Sequence, residues 1–140
     1  MVLPVSDVDR AKRFYQSLGW RLDGDLIISD EFRVVQFTPP GSLTSIRCGT
    51  GIKDASLGSA LSLDLVVQNV AAARADLLAR GVDVSEVFHG RGGFSHHNGP
   101  IDRVPGPDPQ RRSYQSFAAF NDPDGNSWVL QEITQRLPGR

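Results

Sequence analysis

Cysteine is nearly absent: Cys48 is the only one in 140 residues. A single thiol forms no internal disulfide and builds no Cys-rich zinc site, so the expected compartment is the cytoplasm. Charge of one sign is also missing. Fifteen Lys and Arg stand against sixteen Asp and Glu, a net charge of −1, which leaves no electrostatic footprint for nucleic acid. No apolar run approaches the roughly 18 residues of a membrane span. The N-terminus lacks the basic and apolar blocks of a signal peptide. Neither a nucleic-acid partner nor a membrane is therefore expected. What is present suits a folded domain, or two small modules sharing a core: 39% hydrophobic and 22% charged residues. The 14 Gly and 9 Pro make turns plentiful.

The pattern opens with a short strand at 2–6, where Pro4 suggests an edge or a strand end. Asp7 is the expected N-cap of a helix whose stripe is Ala11, Phe14, Tyr15 and Leu18, with Gly19 as its stop. Strands are predicted at 20–28, 32–38 and 43–48, separated by Ser29-Asp30-Glu31 and Pro39-Pro40-Gly41. The stretch 49–59 reads as a linker. The order then repeats: a strand at 60–67, an N-cap at Asn69, a helix stripe of Val70, Ala73, Leu77 and Leu78, a stop at Gly81 and a strand at 82–88. A loop over 89–113 follows. Two last strands, 114–121 and 127–134, flank the turn Asp122-Pro123-Asp124-Gly125-Asn126, and 135–140 is a tail.

An internal register supports this division. An offset of 62 carries Val5-Ser6-Asp7-Val8 onto Val67-Gln68-Asn69-Val70, Ala11 onto Ala73 and Gly19 onto Gly81. An offset of 84 carries Thr38-Pro39-Pro40-Gly41 onto Asp122-Pro123-Asp124-Gly125. Two βαβββ modules are thus expected, 1–48 and 60–134, with the extra length of the second in its long loop.

Leu3-Pro4-Val5-Ser6-Asp7-Val8-Asp9-Arg10-Ala11, then Phe14-Tyr15 and Leu18-Gly19-Trp20, resembles the first βα unit of the vicinal oxygen chelate superfamily. That superfamily includes glyoxalase I, bleomycin-resistance proteins, fosfomycin-resistance enzymes and extradiol dioxygenases. Phe120-Asn121-Asp122-Pro123-Asp124-Gly125-Asn126 resembles its signature turn before the last strand. The resemblance implies an α+β fold in which two βαβββ modules curl a mixed sheet into a U-shaped cleft, with helices on the outer face. It also implies a homodimer and a small oxygen-bearing or natural-product ligand. In metal-dependent members, ligands come from the first and last strand of each module, and the metal acts as a Lewis acid.

Carried over residue by residue, those four positions fall before Met1 and on Ser45, Ser62 and Val129. Hydroxyls and a valine do not match the ligands expected for zinc or iron. Glu132 lies nearby, but strand alternation turns it toward the helix with Trp128 and Leu130. No metal or other cofactor is therefore expected, a divalent metal being the alternative.

Alternation predicts a concave face made of Ser45 and Arg47, then Ser62, Asp64 and Val66, then Val129 and Gln131. Arg47 and Asp64 are expected to pair there or to hold a ligand, with Asp64 a candidate general base. The 89–113 loop adds His89, His96, His97, Asp102 and Arg103. His97 is a candidate acid or base, against the plainer reading of a solvated or packed His pair. Arg111 and Arg112 read as a solvated charge cluster. Trp20, Phe14, Tyr15 and Trp128 read as core. Phe37, Phe94, Tyr114 and Phe117 are freer to wall a pocket, with Tyr114 among the ligand-binding candidates. Cys48 reads as an inert buried thiol. Three functions compete: a sequestering module without catalytic metal, a metal-dependent lyase or dioxygenase, and a metal-free proton-transfer enzyme.

Overall fold

A computed structural model describes residues 1–52, 56–61, 63–90 and 103–139. The chain packs as two compact units. One is Met1–Leu61 with Asn121–Ser127; the other is Ser62–Phe120 with Trp128–Arg140.

In the first unit, β1 (Val2–Pro4) leads to α1 (Val8–Ser17), then β2 (Arg21–Ser29), β3 (Phe32–Thr38) and β4 (Ile46–Thr50). Asp7 is extended, and its Oδ1 accepts the Arg10 N–H at 2.9 Å, which satisfies one of the free donors at the helix start. Gly19 closes the helix at φ +81°, a left-handed turn that glycine adopts without Cβ strain, and donates to the Gln16 carbonyl. Val8, Ala11, Tyr15 and Leu18 form the buried stripe, while Phe14 is half-buried. The sheet runs β1-β4-β3-β2, with β1 parallel to β4 and the other pairs antiparallel. Tyr15 packs on Phe37 and Trp20 with ring centroids 5.7 and 5.1 Å away. Leu3, Val35, Phe37, Ile46 and Cys48 fill the same side of the sheet.

In the second unit, β5 (Leu63–Val67) leads to α2 (Val70–Ala79), then β6 (Phe88–Gly90), β7 (Arg103–Pro105), β8 (Ser116–Asn121) and β9 (Ser127–Glu132). Its order is β5-β9-β8-β6-β7 with β5 parallel to β9, the arrangement of the first unit plus one strand. α2 is alanine-rich, which favours helix by itself. Asn69 caps it by accepting the Ala72 N–H at 2.9 Å, and Gly81 ends it at φ +83°. Val70 and Leu77 are buried, but Leu78 is 41% exposed and drops out of the predicted stripe.

The turn at 122–126 belongs to the first unit although it joins β8 to β9. Asp122 Oδ1 accepts the backbone N–H groups of Asp124 and Asn126. Its Oδ2 accepts Tyr15 Oη at 2.7 Å and Asn126 Nδ2 at 2.8 Å, and Asn126 also donates to the Pro4 carbonyl. Asp124 Oδ1 accepts Ser6 Oγ at 2.6 Å and Arg10 at 3.1 Å. The turn is thus bound to β1 and α1, through buried Asp122 and Asn126 and through the more exposed Ser6 and Arg10 contacts of Asp124, whose Oδ2 is buried without a hydrogen-bond partner among the described residues.

Several predicted boundaries are corrected. The strand expected at 43–48 starts at Ile46, because Ser42 closes a turn onto Pro39 and Leu43 is fully exposed. The strand expected at 60–67 starts at Leu63. The strand expected at 82–88 is one bridge, Val84 to Phe120, before β6 starts at Phe88. The loop expected at 89–113 contains the end of β6 and all of β7, which pair as a hairpin. β8 starts at Ser116 rather than 114, since Tyr114 sits at φ +71° and leaves the extended region.

Candidate functional site

In each unit one sheet face is covered by its helix and the other carries the predicted polar positions. On β4, Ile46 and Cys48 are buried toward α1, and Arg47 between them is exposed on the other face. Its register partner there is Val2, and Arg47 Nε donates to Gln36 Oε1 at 2.9 Å. Ser45 precedes the strand. Its hydroxyl lies 2.8 Å from Thr38 Oγ1, which itself donates to Asp23. The Thr38 hydroxyl, with the Arg21 guanidinium 2.6 Å away, holds the Asp23 carboxyl below the usual range.

The ladders correct the equivalence drawn from sequence. Val2 pairs with Arg47, and Asp64 pairs with Val129. Since the offset of 62 carries Val2 onto Asp64, the counterpart of Val129 is Arg47, not Ser45. The connection from β3 to β4 covers seven residues, 39–45, where that from β8 to β9 covers five, 122–126. The two extra residues shift the register but keep its parity, so the same side chains still face the same way.

In the second unit, Trp128, Leu130 and Glu132 of β9 face α2. Glu132 is 1% exposed. Its Oε2 accepts the Val70 N–H at 3.0 Å at the start of α2, and Arg111 bridges to it at 2.9 Å. Glu132 is therefore a helix-capping carboxylate, as alternation predicts. The opposite face carries Asp64 and Val66 on β5 beside Val129 and Gln131 on β9. Val129 is buried with Phe88 and Phe117, and Ala119 packs against them. The two phenyl rings stack 5.7 Å apart at 25°. Arg103 on β7 lies over Phe88, its guanidinium carbon 4.1 Å from the ring centroid.

Arg47 belongs to the first unit and Asp64 to the second, each on the exposed face of its own sheet. Ser62, Phe94, His96, His97 and Asp102 lie outside the described residues. His89 Nδ1 lies 2.8 Å from the Gly106 carbonyl and ties β6 to the bend that follows β7. Phe37 is core rather than pocket wall, with no exposed surface, because its parity turns it to α1. Arg111 and Arg112 are exposed, and each also holds a buried carboxylate: Arg111 holds Glu132, and Arg112 holds Asp108 at 2.7 Å. The Arg112 guanidinium keeps the Asp108 carboxyl far below the usual carboxylate range. Tyr114 is engaged by the tail, its hydroxyl accepting the Leu137 N–H at 3.1 Å. A hollow of about 630 Å³ lies between the 111–115 turn and 134–138.

Sequence reasoning missed Phe88 and placed Arg103 in a loop rather than on a strand beside it. Both sit on three-residue strands, too short for alternation to register, and only their pairing across β6 and β7 brings them together.

Among the described residues, no three His, Cys, Asp or Glu side chains group as a metal holder. The donor set itself does not fit the metal site the resemblance implies. Val129 has no donor atom, and Arg47 is a permanent cation that ligates nothing.

The N-terminal segment 1–25 matches the family model described as bleomycin resistance protein-like N-terminal. No curated protein matches the sequence. Among solved structures, a glyoxalase/bleomycin resistance protein from Streptomyces sp. CB03234 is 30% identical, with 94% of this chain and 96% of that one aligned and a TM-score of 0.66. TnmS3, an antibiotic binding protein from the same organism, is 29% identical over 95% and 92%, with a TM-score of 0.68. A glyoxalase/bleomycin resistance protein/dioxygenase superfamily member from Sphaerobacter thermophilus shares the fold at 24% identity, over 94% and 93%, with a TM-score of 0.61. With its paired βα units, its capped turn and 30% identity along nearly all its length, the chain belongs to the glyoxalase/bleomycin resistance protein family.

Proposed function

We propose that this chain is a binding module that sequesters a small organic molecule, of the kind bound by its antibiotic-binding relative, without a catalytic metal. One observation carries the reading. Val129, at the position where metal-dependent members of the superfamily place a ligand, is packed among Phe88, Phe117 and Ala119. The same face offers Asp64 and Gln131 as polar contacts beside that apolar cluster. Few polar groups beside an apolar floor are the usual composition of a small-molecule site. Arg47, on the exposed face of the first unit's sheet, and Ser45, Ser62, Tyr114 and His97 are further ligand-contact candidates.

The module acts as a homodimer in this reading. β2 is the outer strand of its sheet, and Leu26, Ile27 and Ile28 on it are 58%, 66% and 65% exposed. Such an edge is a template for a further strand.

The test is thermal stability against a panel of antibiotics, small oxoacids, thiol adducts and aromatic natural products, with and without a chelator. A bound compound at 100 times its dissociation constant should add about 2.7 kcal/mol, equally in both conditions, and should be recovered unchanged. Conversion of the compound, or stabilisation only with added divalent metal, would overturn the proposal.

A further inference from the structure

We infer that the molecule held on the second unit's sheet is an anion with a flat apolar body, and that Arg103 selects the anion. This rests on the binding reading above and names the ligand class. Arg103 is half-buried, and the Phe88 ring occupies one face of its guanidinium. Arg10, Arg21, Arg33, Arg80, Arg111 and Arg112 each hold a carboxylate. Arg103 holds none among the described residues. A guanidinium stacked on an aromatic ring keeps five N–H donors in its plane, rigidly presented and partly stripped of water. A cation placed this way gains from an oxyanion that accepts two of those donors.

The rest of the face says what accompanies the anion. Crossing the sheet from β7, Arg103 is followed by Phe88 on β6, Phe117 and Ala119 on β8, Val129 and Gln131 on β9, and Asp64 on β5. Four strand intervals of about 4.8 Å span the face from β7 to β5. An anion is therefore attracted at the β7 end, and the polar groups of β9 and β5 mark the far end of the face. The apolar stretch between favours a flat hydrocarbon portion.

The experiment titrates isotope-labelled full-length protein with 2-naphthoate and with 2-naphthamide, which share a shape and differ in charge. The naphthoate should bind about tenfold or more tightly, the span of a charge-assisted hydrogen bond. Arg103→Gln should abolish that preference while changing the amide's affinity less than about twofold. Arg103→Met keeps the apolar stem over Phe88, removes the charge and should give the same loss. Equal affinities in the unaltered protein, or a preference that survives in either folded variant, would overturn the inference while leaving aromatic binding intact. Failure of both compounds to perturb the second unit would overturn the binding reading and this inference with it.

Discussion

The Tyr15 hydroxyl is one atom on which a turn depends. Asp122 is 5% exposed and accepts a hydrogen bond from the Tyr15 hydroxyl at 2.7 Å, so Tyr15→Phe leaves a buried carboxylate oxygen with one donor fewer. The expected cost is about 1–3 kcal/mol, seen as a lower urea midpoint with an unchanged slope. Cys48 gives a second prediction. Burial pushes its thiol up to about 11. Its neutral thiol therefore stabilises the fold fully below about pH 9, the unfolded thiol value, and that contribution is lost as pH rises through 11. At pH 8 a thiol reagent should leave the native chain unlabelled and modify it only in denaturant. Rapid native labelling would contradict the placement of Cys48 against α1.

At the scale of the element, α2 owes part of its start to a side chain far away in the sequence. Glu132 accepts from Val70 N–H across a separation of 62 residues. Glu132→Gln removes the charge that faces both the α2 N-terminus and Arg111. Because Arg111 is half-exposed, the loss should be about 1–3 kcal/mol rather than that of a fully buried pair. Acid should weaken the elements in a defined window. Arg33 and Lys12 hold the Asp25 carboxyl well below the usual range, and Arg112 does so for Asp108. Depressed folded values mean full stabilisation above the unfolded carboxylate value of about 4, lost as pH falls through the folded values. The urea midpoint should fall steadily below pH 4, and Asp25→Asn should flatten part of that decline. A pH-independent midpoint between 4 and 2 would refute the linkage.

For the whole molecule, the proposed dimer predicts a mass twice the 15.3 kDa chain at micromolar concentration. Ile27→Lys places a charge on the exposed edge of β2 and should return the mass to that of one chain without lowering stability. A monomeric unaltered chain would remove the dimer from the reading. It would leave the sheet face of the second unit untouched.

The sequence by itself determined the parts whose signals are local. Asp7 and Asn69 cap their helices, Gly19 and Gly81 end them, and Asp122 to Asn126 close a turn, because capping and turn chemistry act within a few residues. Alternation likewise placed Glu132 toward α2 and Arg47 and Asp64 away from the helices, since side-chain parity survives a shift of two residues. Only tertiary structure decided what depends on pairing between distant strands. The counterpart of Val129 became Arg47 through the longer 39–45 connection, and the turn at 122–126 went to the first unit through Tyr15, Ser6 and Arg10. Phe88 and Arg103 met through a hairpin of three-residue strands. Fifteen residues apart in the chain, they carry no shared periodicity, and their stacking follows solely from the ladder that folds β7 back along β6.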